Sequence, residues 1–595
     1  MKQVFRLRRP IMPALLTAIA VAAAMLTAAI AIIDAFVPIP ATWGGQIWPA
    51  RYTELTAWGF RSIVEAAKAV PARAWLAHPG DALAASVGAM QSQFATAGIT
   101  AAMTRLSWTI AMAVFGAAVI CFVVTFLASS KRDRVRHLRG FRLLSGWRAV
   151  LASWKAERAA RRATGDGILL APGLPISRER ESRHFLVVGA TGSGKSVIIR
   201  SWLRQILKRG DRVLLHDTKG DVLETMPVEE FVLLAPHDAR SAVWNVAADI
   251  LTEEDAREFA ACLVPDSHDP VWAAGARELF TGAVVTLQKT RLQAWGWSEL
   301  HEMLLMAPAQ LRELMSRHYR PAATYIILEN GAPTKTMMSF FSTLEGHVNG
   351  TVRPLSRAWH DPKMARFCAR DFLLSETQDK RIVILQRAAH LPTLSSNWIG
   401  AFVRVAANLS VGPLLPDDAE RRIWFTLDEF PQLGKLNGFA QILEKGRSRG
   451  LCCILGAQDI SQLSSLYGAD VTKTWLSSVG TKIVCRMEVG ATAKTICDEW
   501  VGTRQVVWTE RSWSHGPWKL ELGSQSTLSR QVHHRDVAVV QPSELQSALG
   551  RKESWPVPTV RALVFGVGDA IIGADWPIVP WPKLRPGSKP GPHLS

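Results

Sequence analysis

The sequence predicts an α/β fold: a mainly parallel, doubly wound sheet that carries an all-α insertion and is preceded by two transmembrane helices. Three observations lead to this prediction. Short apolar segments alternate with helical patterns from about residue 166 onward. Helical patterns without clear strands fill residues 251–350. Two long uncharged segments lie within the first 130 residues, and each is long enough to cross a bilayer.

The two uncharged segments comprise residues 11–33 and 106–128. Each would form a helix of about 35 Å, which exceeds the ~30 Å hydrocarbon core of a membrane. Basic residues flank both segments, and residues 131–162 contain eleven Lys and Arg against two acidic residues. Because positive flanks stay in the cytoplasm, we expect both chain ends inside and residues 37–104 on the periplasmic side. A cleaved signal peptide is the alternative interpretation of the first segment.

These features divide the chain into five parts: a membrane anchor (1–130), a basic cytoplasmic linker (131–165), a sheet domain (166–250 and 351–575), an all-helical insertion (251–350) and a Pro-rich tail (576–595) that should be disordered. The linker is interpreted as a topology anchor that also touches anionic lipid head groups, or alternatively as a DNA-binding arm. The formal net charge of +18 suits a polyanionic partner, either nucleic acid or anionic lipid.

A glycine-rich loop follows the first apolar strand, which is predicted over His184–Val188. The loop matches the G-x-x-x-x-G-K-[ST] pattern in its required strand–loop–helix context. Its glycines let backbone N–H groups turn toward phosphate oxygens, and the following helix adds its positive end. Lys195 is expected to neutralise the outer phosphates of ATP, and the Ser196 hydroxyl to bind Mg²⁺. The residues predicted to hold the nucleotide are Gly189, Ala190, Thr191, Gly192, Ser193, Gly194, Lys195 and Ser196.

Two later strands end in polar residues that complete such a site. The apolar strand Ile423–Leu427 is followed by Asp428, expected to hold the water shell of the metal, and by Glu429, expected to polarise the attacking water. The strand Leu451–Ala457 ends at Gln458. In RecA-like sheets a polar residue there faces the γ-phosphate, although an ordinary strand-end turn is the alternative interpretation. The sequence therefore predicts a RecA-like P-loop ATPase domain that uses ATP and Mg²⁺.

Three further strands are predicted over Val213–Asp217, Arg381–Leu385 and Lys482–Arg486. In open parallel sheets, ligands bind at the carboxyl ends of the strands. The glycine loop, Asp428 and Gln458 all follow such ends, so we expect them to meet at one edge of the sheet.

Several longer motifs resemble one protein family. With the two predicted spans and the helical insertion, they are similar to the coupling proteins of type IV secretion and conjugation systems, the TraD/TraG/TrwB type. The resemblance covers nearly the whole chain and is most specific across residues 421–463. The matching pieces are Arg183-His184, the GATGSGKS loop, HDTKGD from His216, LDEFPQLGKL from Leu427, EKGRSRG from Glu444 and LGAQDISQL from Leu455.

The resemblance implies a homo-hexameric ATPase of the bacterial inner membrane. Such a protein receives a relaxase bound to single-stranded DNA and passes it to the components of the secretion channel. It also implies an arginine finger at Arg183, just before the P-loop strand, which would complete the site of the neighbouring subunit. Arg447 and Arg449 are rivals for that role. Two features depart from the family: Phe430 follows the second acid, and the chain lacks a long acidic C-terminal tail, which leaves the mode of relaxase docking open.

Three other functions remain alternatives. A septal double-strand DNA translocase of the FtsK type would normally have more membrane spans and a C-terminal winged helix, and residues 560–595 are too short and Pro-rich for that. The second alternative is an ABC-type transporter or a channel scaffold. The transporter would need an LSGGQ-like signature, which this sequence lacks, and a pure scaffold would not need Lys195, Asp428 and Glu429 at matched strand ends. A coupling ATPase that exports protein effectors without DNA is not excluded, because contacts to DNA phosphates need only scattered Lys and Arg.

Overall fold

The computed structural model describes residues 136–265, 270–374, 381–436, 438–515, 526–554 and 556–591, together with a few helical positions between 81 and 124, of which 115–121 are consecutive. Among these residues, no helix combines the length and the apolar character needed to cross a membrane. The first predicted span (11–33) lies outside the described residues, as do most of the second span (106–128) and of the predicted periplasmic segment (37–104). The chain divides into two compact units, residues 1–138 with 506–535 and residues 139–505 with 536–595.

The strands of the described part are numbered here in chain order. They are β1 (Arg136–Arg139), β2 (Arg142–Ser145), β3 (Asp166–Ala171), β4 (Leu174–Ser177), β5 (Phe185–Val188), β6 (Arg212–Asp217), β7 (Val232–Leu234), β8 (Val243–Trp244), β9 (Leu328–Glu329), β10 (Ala332–Pro333), β11 (Arg366–Phe367), β12 (Ile382–Gln386), β13 (Ile423–Leu427), β14 (Leu451–Ala457), β15 (Thr481–Val484), β16 (Thr503–His515), β17 (Ser526–Ala538), β18 (Gly550–Lys552), β19 (Thr559–Phe565) and β20 (Ala570–Pro577).

The α-helices of the same residues are numbered in the same way. They are α1 (Trp147–Thr164), α2 (Arg178–Glu181), α3 (Lys195–Arg209), α4 (Asp221–Thr225), α5 (Val246–Asp249), α6 (Glu253–Leu263), α7 (Pro270–Arg291), α8 (Trp297–Leu304), α9 (Pro308–His318), α10 (Arg320–Ala323), α11 (Lys335–His347), α12 (Arg353–Ala358), α13 (Ala369–Leu374), α14 (Pro392–Val411), α15 (Ala440–Lys445), α16 (Ile460–Tyr467), α17 (Ala469–Ser478), α18 (Ala491–Thr495) and α19 (Pro542–Ser547).

The second unit is built on an 11-stranded sheet with the order β2-β20-β19-β15-β5-β14-β13-β6-β12-β7, in which β18 also pairs with β19. The central strands from β15 to β7 are all parallel to their neighbours, whereas β19 is antiparallel to both β15 and β20. The first unit contains most of a three-stranded sheet with the order β1-β16-β17. The mainly parallel sheet agrees with the predicted fold class.

Both faces of the sheet are covered, which explains the continuous apolar runs of its strands. In β5, Phe185 and Val187 belong to one hydrophobic cluster and Leu186 and Val188 to another. The cluster on the second face also contains large aromatic residues of the helical insertion. A strand buried on both sides has no polar alternation that would reveal from the sequence which face each residue occupies.

The helical insertion begins and ends on one pair of strands. β8 and β11 pair in parallel, with Val243 opposite Arg366 and Trp244 opposite Phe367. The helical stretch therefore returns to the sheet domain near residue 367, later than the predicted boundary at residue 350. The two-residue strands β9 and β10 form a short antiparallel pair within it, and the other regular elements of its described residues are helices.

The region predicted as a basic linker, residues 131–165, is folded from residue 136 onward, so that prediction is wrong for this part. β2 is the edge strand beside β20, and α1 buries Ala149, Ser153 and Glu157. The Glu157 carboxylate accepts hydrogen bonds from the backbone N–H of Ser177 at 2.9 Å and from its hydroxyl at 2.8 Å. The basic residues that suggested a linker lie mostly on the exposed face of this helix.

The tail is ordered over residues 576–591, so the prediction of disorder is wrong there. Trp576 ends in the core, and its indole N–H donates to the Leu170 carbonyl at 2.8 Å. Further on, backbone N–H groups of Leu584 and Lys589 donate to the Glu224 carbonyl and the Asp238 carboxylate. Prolines and glycines are compatible with such an extended strap because it bonds to the domain instead of forming a regular element.

Candidate nucleotide-binding site

The strand order brings the predicted site residues to one edge of the sheet. β5, β14 and β13 are consecutive neighbours, and all three run in the same direction. Gly189, Gln458 and Asp428 directly follow these strands. They lie at the carboxyl edge of a parallel sheet, which is where such folds bind their ligands.

The glycine-rich loop is anchored at its start by the sheet. The Gly189 N–H donates to the Ala457 carbonyl at 3.2 Å, and the Ala190 N–H donates to the Arg486 carbonyl at 2.9 Å. Gly194 has φ +98°, and a Cβ there would lie 2.5 Å from a methyl carbon of Val560. The backbone conformation and the close packing both require glycine at this position. Helix α3 begins at the next residue, with its positive end toward the loop.

Lys195 is the first residue of α3, and its side chain is only 6% exposed. Its ammonium group donates to the Gly189 carbonyl at 2.7 Å and lies 3.7 Å from a carboxylate oxygen of Glu429. The buried ammonium is therefore held across the mouth of the loop by one carbonyl and one carboxylate. A phosphate group at the N-terminus of α3 would meet this ammonium and the loop N–H groups together.

Asp428 and Ser196 form the second half of the site. The Ser196 hydroxyl lies 3.5 Å from a carboxylate oxygen of Asp428. Burial raises the pKa of Asp428, and the neighbouring charge of Glu429 raises it further. A hydroxyl and a buried carboxylate are oxygen ligands that suit Mg²⁺, whose charge would offset the cost of burying the carboxylate. This donor set fits the predicted metal residues, Ser196 and Asp428.

Glu429 stands at a sharp turn, with φ +53°. Its backbone N–H donates to the Asp428 carboxylate at 3.0 Å. A non-glycine residue in this left-handed conformation costs free energy, and such positions cluster at functional sites. The turn directs the Glu429 carboxylate toward Lys195 instead of along the strand direction.

His216 was not among the predicted site residues, although the structure places it directly behind the two acids. It is buried in β6, and its Nδ1 lies 2.8 Å from the Asp428 carbonyl oxygen. Burial lowers the pKa of His216 to about 4, so the ring is neutral and Nδ1 carries the proton. The available signal was the polar pair His216-Asp217 at the end of an apolar strand next to β13.

Gln458 lies at the end of β14, between the strand that leads to the glycine loop and the strand that leads to Asp428. Its side chain is half-buried. This position agrees with the predicted strand end, and a contact to the γ-phosphate stays a prediction.

Arg183 lies at the opposite edge of the sheet from the loop of its own subunit, because β5 separates them. The six residues from Arg183 to Gly189 span up to roughly 20 Å in extended conformation. The Arg183 guanidinium pairs with Glu179 at 2.7 Å, and Arg447 pairs with the same carboxylate oxygen at 2.5 Å. Hydrogen bonding to Arg183 lowers the pKa of Glu179. Glu179 thus brings together two of the three arginines considered for one role.

Arg449 is held differently from these two arginines. Its guanidinium donates to the backbone carbonyls of Ser410 and Gly412 and lies 3.6 Å from Asp417. Its side chain is 22% exposed, whereas those of Arg183 and Arg447 are 43% and 52% exposed. Arg449 is therefore committed to contacts within its own subunit.

Comparisons with known proteins agree on one family. Residues 168–555 match the model of the type IV secretion-system coupling protein DNA-binding domain. The coupling protein TraD of Escherichia coli (strain K12) is 26% identical over 410 residues, which cover 67% of this chain and 55% of TraD. The chain therefore spans about half the length of this curated relative.

Solved structures of the bacterial conjugative coupling protein TrwB show the same fold. The unbound form matches with a TM-score of 0.60 and 24% identity, over 77% of this chain and 96% of TrwB. TrwB in complex with ADP and Mg²⁺ matches with a TM-score of 0.58 and 22% identity, over 77% of this chain and 98% of TrwB.

Proposed function

This chain belongs to the family of type IV secretion-system coupling proteins, and from that premise we propose that it hydrolyses ATP to drive a relaxase-bound single-stranded DNA into a type IV secretion channel. The observation that carries the proposal is the convergence of Lys195, Ser196, Asp428 and Glu429 at one edge of the sheet. A fold alone would not require this set of side chains at matched strand ends.

The proposed hydrolysis assigns one task to each residue of the set. Lys195 exchanges its bond to the Gly189 carbonyl for the outer phosphates of ATP. Mg²⁺, when bound, neutralises charge on these phosphates, and Ser196 and Asp428 hold it. Glu429 accepts a hydrogen bond from the attacking water and orients it. Gln458 contacts the γ-phosphate from the neighbouring strand end. The structure of TrwB with ADP and Mg²⁺ supports the choice of ligands.

Single-stranded DNA is the proposed cargo. The family model that matches residues 168–555 is described as a DNA-binding domain, and the net charge of +18 suits a polyanion. Binding would be directed to the phosphate backbone, so its affinity should fall steeply with salt and show little sequence preference. Salt-insensitive or strongly sequence-selective binding would contradict this part of the proposal.

The proposed setting is the bacterial inner membrane, with segments 11–33 and 106–128 as two spans and with the N-terminus and the ATPase domain in the cytoplasm. A reporter fused at residue 75 should then report the periplasm and one at residue 170 the cytoplasm. We also propose a homo-hexamer. The exposed Arg183 and Arg447 lie far from the glycine loop of their own subunit, and a ring would bring them to the loop of a neighbour.

The decisive experiment uses the full-length protein in lipid nanodiscs. ATP turnover is measured with and without single-stranded DNA for the wild type, Glu429→Gln and the control Glu254→Gln, an exposed acid on α6. We expect DNA to stimulate the wild type and the control. Glu429→Gln should bind ATP but lose at least about 100-fold in turnover, since the attacking water is no longer polarised. Near-normal turnover of Glu429→Gln would remove the catalytic assignment, and turnover indifferent to DNA would favour a coupling ATPase for protein effectors.

A further inference from the structure

Helix α1 exposes a row of large apolar side chains to solvent. Its inner face buries Ala149, Ser153 and Glu157 against the domain. On the outer face, Trp147, Leu151 and Trp154 are 68%, 59% and 50% exposed. Their spacing of four and three residues places them on one side of the helix, one above the other. Large apolar side chains grouped in this way on a surface indicate a site of interaction.

The same face is cationic. Arg148, Lys155, Arg158 and Arg162 are all exposed along α1. The single acid of the helix, Glu157, is buried on the other side and pairs with Arg180 at 2.5 Å. The outward face of α1 therefore combines three large apolar side chains with four positive charges and carries no carboxylate.

A shallow groove beside α1 is lined by Leu151, Trp154, Lys155, Arg158, Arg161, Arg162 and Asp166. Asp166 is paired with Arg161 at 2.7 Å, so the groove remains positively charged.

We propose that this outer face of α1 lies flat on an anionic lipid bilayer, with the Trp147, Leu151 and Trp154 side chains at the level of the head groups. A helix with a basic polar face and a Trp- and Leu-containing apolar face is the pattern of interfacial membrane helices. Tryptophan prefers the interface, and Lys and Arg beside it bind anionic head groups. The inference rests on the proposed membrane setting, since α1 begins 19 residues after residue 128, the end of the second predicted span.

Two other occupants fit the face less well. Single-stranded DNA would use the cations and could stack on the two tryptophans, but Leu151 between them offers no stacking surface to a base. A second copy of the same face would place four cations against four cations, which is unfavourable in a self-complementary contact. Anionic lipid satisfies both the charge and the aliphatic part of the face.

The test measures lipid contact at residue 151 in the full-length protein. Because the chain has 23 tryptophans, a single reporter is needed: Leu151→Cys labelled with an environment-sensitive fluorophore, in vesicles with or without phosphatidylserine. Gln310→Cys, exposed on α9, is the matched control, and the wild type carried through labelling gives the background from native cysteines. Quenching by head-group-labelled lipid reports the contact.

We expect at least a two-fold stronger quenching at residue 151 than at residue 310 in phosphatidylserine vesicles. Replacing Arg148, Lys155 and Arg162 together by Gln should reduce it to the level seen in phosphatidylcholine vesicles. Equal quenching at both positions, or quenching indifferent to lipid charge, would overturn the inference. Loss of quenching on addition of single-stranded DNA would assign the face to nucleic acid, and protection of residue 151 in detergent-solubilised oligomers would assign it to a second copy.

Flotation of the vesicles separates this inference from the membrane setting on which it rests. If the protein still floats with the vesicles after an alkaline wash but residue 151 is not quenched, the membrane spans are supported and the role of α1 is contradicted. If the alkaline wash releases the protein from the vesicles but residue 151 is quenched in anionic vesicles, the membrane spans are contradicted and the interfacial role of α1 is supported.

Discussion

The Nδ1 atom of His216 lies 2.8 Å from the backbone carbonyl oxygen of Asp428, and this hydrogen bond joins the ends of two neighbouring strands. The carbonyl belongs to the residue just before the turn at Glu429, so the imidazole restrains the point from which that turn departs. A buried donor that satisfies a buried carbonyl contributes about 1 kcal/mol, and more is lost when the carbonyl is left without a partner.

The first prediction concerns the pH dependence of stability. The pKa of His216 is about 4 in the folded protein and about 6.5 when unfolded. Between these values the unfolded state binds more protons, so the free energy of unfolding should fall as the pH drops from about 6.5 to 4. His216→Asn retains a donor near Nδ1 but cannot titrate, and its stability should fall less between pH 7 and pH 5, as measured by urea unfolding. Part of the pH dependence should remain in His216→Asn, because the pKa of the buried His184 is also lowered to about 4.

His360→Asn, at an exposed position, is the control for the first prediction and should follow the wild type. Parallel pH profiles for the wild type and His216→Asn would mean that His216 does not titrate between the folded and unfolded states as its burial requires.

The second prediction separates stability from ligand binding at Asp428. Since burial raises the pKa of this carboxyl group, its ionised form at pH 7 destabilises the free protein. Asp428→Asn should therefore raise the melting temperature of the ligand-free protein. The same variant should lose the further stabilisation that ATP with Mg²⁺ gives the wild type.

Thermal unfolding with and without the nucleotide measures both effects, and the exposed Asp498→Asn serves as control. A variant that is destabilised when free, or that keeps the full nucleotide shift, would show that Asp428 is not a desolvated metal-binding carboxylate.

The third prediction concerns the nucleotide-binding ammonium. Lys195→Ala removes the charge that lies between the Gly189 carbonyl and the Glu429 carboxylate. Affinity for ATP, measured by calorimetry, should fall at least about 100-fold, the cost of a lost charge-assisted contact to phosphate of about 3 kcal/mol. Lys208→Ala, on the exposed side of the same helix α3, should bind like the wild type. If both variants bind ATP comparably weakly, the cause is a disturbed helix α3 and not the loss of the Lys195 ammonium from the site.

The fourth prediction assigns a function in trans to the pair of arginines on Glu179. Arg183→Ala should bind ATP but hydrolyse it about 10³-fold more slowly, as expected for loss of an arginine finger. Mixtures of Arg183→Ala with Lys195→Ala subunits should regain part of the activity, because some interfaces then join an intact loop to an intact arginine. Arg317→Ala, which breaks an i,i+4 ion pair of the same kind with Glu313, is the control.

If the mixture stays inactive although the subunits co-assemble, the same experiment with Arg447→Ala decides whether the role belongs to the second arginine on Glu179. Recovery there and not with Arg183→Ala would transfer the assignment to Arg447. Glu179→Gln should lower turnover less than either arginine variant, since both guanidinium groups remain but lose the carboxylate that orients them.

The fifth prediction concerns the strap formed by residues 581–591. A chain that ends at residue 582 loses the backbone hydrogen bonds to Glu224 and Asp238. Amide hydrogen exchange should accelerate in α4 and in the turn around Asp238, while the central strands stay protected. A chain that ends at residue 591 keeps every contact named here and should exchange like the wild type. If the two shortened chains exchange at the same rates in α4 and around Asp238, the strap does not stabilise this part of the domain.

Local patterns were sufficient to predict the centre of the sheet. Ile423–Leu427 and Leu451–Ala457 have the predicted bounds, because each is an apolar run stopped by polar or glycine residues. The glycine loop and the acids after β13 follow from the same reasoning. The convergence of Asp428 with Ser196 was also predictable, since parallel neighbouring strands end at one edge.

The parts that the sequence did not predict depend on contacts between distant residues. The strap is ordered through backbone bonds to residues some 350 positions away, such as Lys589 to Asp238, and no local pattern encodes these. Helix α1 looked like a linker because its single buried acid, Glu157, finds its partners at Ser177 and Arg180. The sharing of Glu179 by Arg183 and Arg447 likewise requires the fold.

The parallel pairing of β8 with β11 holds the two ends of the helical insertion together. Its first and last residues lie side by side, with Val243 opposite Arg366, so the segment between them starts and finishes at one point of the scaffold. Closing a longer or shorter loop at fixed ends changes the entropy only slowly with length. Loops of this segment can therefore change in length without moving its ends, provided that the aromatic side chains which it packs against the second face of the sheet are retained.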